Sequence, residues 1–439
     1  MARNEPLAPL SSKPAGSYRV LHTADWHLGK MLGEHSRQEE HQLFLEFLLK
    51  CILAHEVDAL VIAGDVFDSA NPPQSAINQY FDFLADLFEF SDCSVVLISG
   101  NHDSPAHLEA PRKALKRLRT HIVGTLPVSP EKALVVLPST QNPQLVIAAV
   151  PFLRDRDLRV GQTGQGMLEI QKELVAGITN RYREVAEAAQ TWRGKGLPVL
   201  ATGHLTVVNC SPTDSEREIH IGGQGAISPD CFPDAFDYVA LGHLHRPQLA
   251  GRETIRYSGS PIPLSFSEAT DGKELRVLDF GEGRLLQQSV LPIPLPRALV
   301  QLRTERQKLG AELKMFTPPE SALRAWVEVL VENPIPGEDL YETVQALVKD
   351  REFDVIRVAA ARSNAPATLT TDGHISPEEV QFLLSDPANV FARRMETETA
   401  FTAEERTALH GAFSELCNLH AEQKREAHVL IPIVDGGAA

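Results

Sequence analysis

Five short polar signatures carry the chemistry of this 439-residue chain, and each follows its own apolar run. They are Asp25-Trp26-His27, Gly64-Asp65-Val66-Phe67-Asp68, Gly100-Asn101-His102-Asp103, Gly203-His204 and Gly242-His243-Leu244-His245. Carboxylate and amide oxygens combined with imidazoles suit a borderline divalent cation. The nitrogen ligands favour Mn²⁺, with Mg²⁺ as a substitute, and the lack of thiolates disfavours structural Zn²⁺. Asp25, His27, Asp65, Asn101, His204, His243 and His245 are the expected metal ligands, with Asp65 bridging two ions. Such a pair, about 3.5–4 Å apart, lowers the pKa of a water and neutralises attacking and leaving oxygens of a phosphoryl group. Hydrolysis of a phosphoester is the reaction this cage suits. His102 can protonate the leaving oxygen, steady the phosphate or add a metal contact. Asp103 is expected to fix its tautomer, and Asp68 to orient a ligand or cap the next turn. Taken singly, Asp25, Asp65 and Asn101 could be turn or capping residues. Their ordered recurrence favours the metal reading.

Strands must deliver these groups. Tyr18–Thr23, Val57–Ala63 and Ser94–Ser99 read as strands, separated by helical patterns over Arg37–Leu53 and Ile77–Phe90. This βαβαβ rhythm implies a parallel sheet with functional groups at its C-terminal edge. His121–Val123, Ala133–Leu137 and Gln144–Val150 are short strands expected to form a second sheet, closed by Ile255–Ser258, Glu274–Phe280 and Leu285–Leu291. Met167–Trp192 reads as a long helix, Leu197–Thr202 and Tyr238–Leu241 as strands, and Asn209–Pro233 as an irregular active-site loop. Gly161–Gly166 lacks the Lys-Ser/Thr ending of a phosphate cradle. The proline run Leu291–Pro296 is the clearest linker, followed by a helical pattern, a strand Ala325–Val331, a helix Leu340–Asp350 and a strand Val355–Ala359. The fold class expected is α/β, a two-sheet sandwich flanked by helices, with a smaller α+β domain and C-terminal helices. The expected divisions are a flexible extension 1–16, a catalytic domain 17–291, a small domain 298–363 and helices 372–430 whose apolar stripes suit a partner groove or packing back on the small domain.

Composition sets the outer bounds. The hydrophobic fraction of 43% and charged fraction of 23% are those of an ordinary globular protein. Five scattered cysteines, Cys51, Cys93, Cys210, Cys231 and Cys417, form no CxxC pair and point to a reducing cytoplasm. No run is long enough for a membrane span. A net charge of −16 argues against a sequence-blind DNA binder, but part of it lies in the tail after Asp372. Arg112, Lys113, Lys116, Arg117 and Arg119 form a basic cluster behind Asn101-His102, readable as a solvated helix face or as a DNA contact.

The ordered signatures resemble those of the calcineurin-like metallophosphoesterase superfamily. Leu21–Gly29, Ala63–Asp68, Gly203–Thr206, Ala240–Arg246 and Ser258–Phe266 are further similar to the bacterial SbcD family of nuclease subunits. The resemblance runs from about Tyr18 to Gly283. It implies one Mn²⁺ on Asp25, His27, Asp65 and His245, a second on Asp65, Asn101, His204 and His243, and His102 as the catalytic imidazole. It further implies exonuclease action on duplex DNA ends and endonuclease action on single strands or hairpins, in DNA repair, recombination and replication at the nucleoid. The small domain would cap the DNA, and the C-terminal helices would grip an SbcC-type coiled-coil ATPase. Dimerisation through Ile77–Phe90 and the region near Leu108–Leu118 would give a heterotetramer with that ATPase. The rival readings are another dinuclear phosphoesterase, such as a phosphatase, and a non-catalytic scaffold. Phosphoprotein phosphatases usually continue with Asp-Arg-Gly and Gly-Asn-His-Glu, whereas here Ser69-Ala70 follow Asp68 and Asp103 follows His102.

Overall fold

The strands that end in the polar signatures are apolar on both sides, and this alternation decides the layering. In β1 (Tyr18–Thr23) Val20 opposes Leu21, in β2 (Ala59–Ala63) Val61 opposes Leu60 and Ile62, and in β3 (Ser94–Ile98) Val96 and Ile98 oppose Val95 and Leu97. Strands buried on both faces must lie between two layers. One set packs with α1 (Gln38–Ala54) and α2 (Gln74–Phe90). The other meets a second sheet through Leu145, Ile147, Leu200 and Tyr238.

The computed structural model describes residues 8–158, 167–216, 226–335, 337–361, 391, 395 and 405–416. The remaining strands of the two large sheets are β4 (Thr120–Val123), β5 (Leu134–Pro138), β6 (Pro143–Ala148), β7 (Val199–His204), β8 (Tyr238–Gly242), β9 (Gln248–Ala250), β10 (Arg252–Tyr257), β11 (Glu274–Gly281) and β12 (Arg284–Pro292). The first sheet has the order β12-β11-β1-β2-β3-β4 and the second β9-β10-β8-β7-β6-β5. Helix α3 (Met167–Arg193) covers the outer face of the second sheet with Ile178, Tyr182, Val185 and Ala189. The result is a helix–sheet–sheet–helix sandwich, the α/β class expected from the sequence.

Two strand assignments differ from expectation. The segment His121–Val123 edges the first sheet, pairing in parallel with β3 (Val96 opposite His121). The intervening crossover is made by helices of only five and four residues, Pro105–Glu109 and Arg112–Leu115, too short to show a period. The hairpin β11–β12 also belongs to the first sheet, antiparallel to β1 with Tyr18 opposite Phe280. A buried ion pair favours that register: Arg19 Nε and Nη2 donate to the Asp279 carboxylate at 2.7 and 2.9 Å. The extension before Ser17, expected to be flexible, is anchored from Leu10 onward. Leu10 packs on the helix-side core, and Lys13 pairs with Asp58 at 2.6 Å.

Beyond the linker Ile293–Pro296 lies a small α/β layer. Its strands β13 (Arg297–Glu305), β14 (Leu323–Glu332) and β15 (Phe353–Ala360) form a parallel sheet, covered by α4 (Leu309–Met315) and α5 (Leu340–Val348). The stretch from Ala298 to the strand at Ala325, expected to hold a helical pattern, holds the helix α4 and, before it, the strand β13. There Ala298, Val300 and Leu302 turn to the small core while Leu299 joins Trp326 and Phe266, a period of two. Trp326 also carries the contact with the sandwich beside α1. Arg297 and Arg37 lie over its ring at 4.2 and 5.7 Å, and both donate to Glu40 Oε1 at 2.8 Å. Arg37 and Glu40 are fully buried.

Residues Met1–Ala361 form one compact unit and Arg362–Ala439 another. In the second, residues 405–416 are helical and Phe413 stacks on Phe391 with centroids 4.1 Å apart. The Gly161–Gly166 loop and most of the expected C-terminal helices lie outside the described residues. Among the described residues no helix is long and apolar enough to cross a membrane.

Removing the shared acceptor would leave the buried Arg37 guanidinium without its carboxylate partner and Arg297 with Glu39 alone, 3.1 Å from its Nη2. Glu40→Ala is therefore expected to destabilise the unit Met1–Ala361 by about 3–5 kcal/mol. Urea denaturation followed by tryptophan fluorescence would register it, and an unshifted midpoint would contradict it.

Candidate metal centre

The C-terminal ends of β1, β2, β3, β7 and β8 bring all seven expected ligands and His102 into one cluster. All but Asn101 are buried, and Asn101 is partly so. The loops after β1 and β2 run side by side, with the Asp25, His27 and Leu28 amides donating to the carbonyls of Gly64, Asp65 and Val66 at 3.0, 3.0 and 2.9 Å. Asp25, His27, Asp65 and His243 hold φ values of 54°, 48°, 49° and 100°. Such left-handed backbone costs residues with a Cβ about 1–3 kcal/mol each and persists only where surroundings impose it. Trp26 is one such surrounding: its ring is wedged edge-on against Phe44 and Phe83 at 5.7 and 5.6 Å. The glycines of the signatures have a steric cause. A Cβ on Gly64 would stand 2.3 Å from His204 Nδ1, and one on Gly100 2.1 Å from Asp65 Oδ1.

Three overlapping groups each bring their ligand atoms within 4.8 Å of one another: Asp25, His27 and His245; Asp25, Asp65 and His204; His27, Asp65 and His102. Asp65 joins two sides of the cluster, its Oδ2 lying 3.6 Å from His27 Nε2 and 3.3 Å from His204 Nε2. Its Oδ1 accepts the His102 amide at 2.8 Å. Asn101 Oδ1 lies 2.9 Å from His204 Nε2 and 3.2 Å from His243 Nδ1.

The donor set fits cations on an electrostatic argument. His204 Nδ1 donates to the Ala63 carbonyl at 2.9 Å, so the neutral ring turns a lone pair toward Asn101 Oδ1 and Asp65 Oδ2. Three electron-rich atoms converge there, and only a cation or a second proton reconciles them. Asp25 Oδ2 and His27 Nε2 are likewise buried without a hydrogen-bond partner among the described residues. In the metal-free protein protons take the cation's place. Burial, reinforced by the Asp65 charge, pushes the Asp25 carboxyl up to about 7. Burial opposes protonation of His204, but the carboxylates of Asp65 and Asp25 outweigh it and lift the imidazole to about 9. Burial and the neighbouring His204 hold His243 well below the usual histidine range.

The groups around the ligands depart in part from the sequence reading. His102 Nδ1 lies 2.8 Å from the Asp68 carbonyl, which sets its tautomer. The Asp103 carboxylate, expected in that role, instead accepts the amides of Val66, Phe67 and Gly100 at 3.2, 3.0 and 2.9 Å. Three backbone donors from two adjacent loops saturate it, so it ties the loops rather than the imidazole. Asp68 Oδ1 lies 3.3 Å from His27 Nδ1 and 3.0 Å from Lys30 Nζ. Its carboxyl sits below the usual range: burial opposes this, and His27 and Lys30 outweigh burial.

A buried network behind His245 was not foreseen. His245 Nδ1 lies 2.6 Å from Ser215 Oγ and 3.3 Å from Glu268 Oε1, and its amide donates to Glu216 Oε1 at 2.7 Å. Glu268 is itself neutralised by Lys273 Nζ at 2.6 Å. Its one sequence signal is position, two residues after the Ser258–Phe266 stretch. The described part of the Asn209–Pro233 loop thus touches the site through Ser215 and Glu216. In the basic cluster, Arg119 donates to the carbonyls of Ser91 and Phe88 at the end of α2. It is therefore engaged in packing.

Fold and site together define a metallophosphoesterase built for two metal ions: residues 18–247 match the calcineurin-like phosphoesterase family. Residues 295–399 match a second family model, described as the type 5 capsule protein repressor C-terminal domain. The chain is 34% identical over 395 residues to the SbcD component of the SbcCD nuclease from Escherichia coli K12, covering 89% of this chain and 96% of that one. It is 39% identical over 300 residues to the component of the same name from Rhodobacter capsulatus, covering 66% and 72%. The Bacillus subtilis relative is 34% identical over 267 residues, covering 60% and 67%. The chain belongs to the SbcD family and is a metal-dependent nuclease.

Cation binding must displace the protons on Asp25 and His204. Metal affinity is therefore expected to rise with pH through the interval from about 7 to about 9, with net proton release near neutrality. Calorimetric titration in buffers of different ionisation enthalpy measures that release; a buffer-independent heat would contradict the assignment.

Proposed function

We propose that this chain hydrolyses DNA phosphodiesters with two Mn²⁺ ions, as the catalytic subunit of a complex with an SbcC-type coiled-coil ATPase. The supporting observation is the position of Asp65, whose carboxylate faces His27 on one side and His204 on the other. Asp25, His27, Asp65 and His245 would hold one ion, and Asp65, Asn101, His204 and His243 the other. The predominance of imidazole nitrogen over carboxylate oxygen favours Mn²⁺, with Mg²⁺ as a weaker substitute. When bound, the pair supplies an activated water and neutralises charge on the phosphoryl oxygens. His102, tied through Nδ1 to the Asp68 carbonyl, would give the leaving oxygen the proton that its other nitrogen carries in the imidazolium form. Asp68 and the Ser215–Glu268 pair orient His27 and His245 from behind.

In this reading the chain acts as exonuclease on duplex ends and as endonuclease on single strands and hairpins, in repair, recombination and replication at the nucleoid of the cytoplasm. Residues 17–291 form the nuclease domain, 298–363 cap the DNA and 372–430 grip the ATPase. The helix over 405–416 supports the last role, because Leu409 and Leu416 are exposed along it. Phe81, Phe88 and Phe90 are exposed on α2, which supports a homodimer there and a heterotetramer with the ATPase.

His102→Ala is expected to keep both Mn²⁺ sites and lose about 100-fold or more in cleavage. Linear and hairpin DNA, with and without the ATPase and ATP, are the substrates for that assay. Parental cleavage by the variant would remove His102 from catalysis, and hydrolysis of p-nitrophenyl phosphate without DNA cleavage by the parent would overturn the nuclease substrate.

A further inference from the structure

Next to the metal cluster the surface opens into a cavity of about 640 Å³ lined by Asn101 and His102 and also by Arg154 and Arg156. That volume lies in the range that accepts a ligand of nucleotide size. Nothing in the metal chemistry uses these arginines; among the described residues the Arg154 guanidinium has no polar partner, and that of Arg156 has only a long ion pair. There the polar contact of Arg154 is made by its backbone amide, which donates to Asp157 Oδ2 at 3.2 Å. Arg156 Nε lies 3.9 Å from Asp157 Oδ1, too far for a hydrogen bond.

The backbone position of Arg154 is fixed. The segment that carries it leaves β6 and is tied to both large sheets: the Val150 amide donates to Thr202 Oγ1 and the Phe152 amide to the Ser99 carbonyl, each at 2.9 Å. The Phe152 ring stands edge-on to the His204 imidazole, with centroids 6.3 Å apart. Arg154 is thus two residues from a side chain that packs on an expected metal ligand. The cavity is formally balanced in charge, and what favours an anion is the difference in hydrogen-bonding commitment of its charged groups. Asp103 and Glu109 line the same space, but Asp103 is saturated by three amides, and Glu109 Oε1 accepts the amides of Gly124 and Thr125 at 2.9 and 3.1 Å. One uncommitted guanidinium, Arg154, and one only loosely paired, Arg156, therefore share the space with carboxylates already engaged by backbone.

We propose that Arg154, assisted by Arg156, binds the backbone phosphate next to the scissile one and so sets the strand's register over the metal pair; this rests on the DNA nuclease reading above. A planar guanidinium suits this task because it can present two parallel donors to one phosphate group. The same pair accounts for an acidic chain holding a polyanion: the positive charge is concentrated at the cleavage site and need not be spread over the surface.

The test uses the full chain with Mn²⁺ and a single-stranded oligonucleotide, over a series of KCl concentrations. For Arg154→Ala/Arg156→Ala, KM is expected to rise about tenfold or more, as loss of charge-assisted hydrogen bonds to a phosphate requires. kcat should stay within about threefold, and the slope of log affinity against log salt should flatten by about one to two. Arg154→Lys keeps the charge and loses the fork, so it should restore the slope and only part of the KM. Calorimetry should still find both Mn²⁺ sites in every variant. An unchanged KM and salt slope would overturn the proposal; so would a fall in kcat at constant KM, or loss of metal binding, since the arginines would then act at the reacting centre or in the fold. If the parental chain turns over bis(p-nitrophenyl) phosphate and leaves the oligonucleotide intact, the nuclease reading itself fails and takes this proposal with it.

Discussion

A carboxylate buried among imidazoles, shielded from bulk solvent, is the constraint on which the site depends. Asp65 is almost fully buried and its two oxygens are approached by the His102 amide and by imidazole nitrogens of His27 and His204. In the low-dielectric interior an uncompensated charge of this kind is costly, so a proton or a cation has to share the space. Burial acts against its ionised form, yet His204 and His27 hold the carboxyl well below the usual range. The proton left on His204 is the one a metal ion would displace. Metal affinity, pH response and protonation are thus one property of the same cluster.

The rest of the fold serves to keep that cluster from relaxing. Four of its members hold left-handed backbone: paired loop amides beside β1 and β2 and Trp26 wedged between the two helices hold Asp25, His27 and Asp65, and the His243 amide is held by Asp25 Oδ1. The sandwich has room for five strand ends at one edge only because glycine stands where the loops cross, at Gly64 and Gly100. Asp103 binds two of those loops through their amides, and the Lys273–Glu268–Ser215 network braces His245 from the opposite side. Catalytic geometry here is held by backbone contacts as much as by side-chain chemistry.

Much of this was legible in the sequence because strand ends advertise themselves. An apolar run that stops at Gly-Asp or Gly-His fixes both the strand and the direction in which its last side chain is delivered, so the ligands and β1, β2, β3, β7 and β8 could be read directly. Sheet membership could not. The hairpin Glu274–Pro292 has the same alternation whichever sheet it joins, and the choice rests on Arg19 meeting Asp279 across 260 residues of sequence. Strand β13 carries no clear signal because a short amphipathic stretch is ambiguous between the two periods until its neighbours are known. Ser215, Glu268, Lys273 and Arg154 carry no motif of their own. Their roles come from tertiary proximity, as does the exchange by which the Asp68 carbonyl, and not Asp103, orients His102.

The most direct test of the account is crystallography of the full chain soaked in Mn²⁺, with anomalous difference maps recorded at the manganese edge. Two peaks about 3.5–4 Å apart, with one Asp65 oxygen or both reaching each ion, are the expected result. A single peak, or two peaks of which only one contacts Asp65, would contradict it.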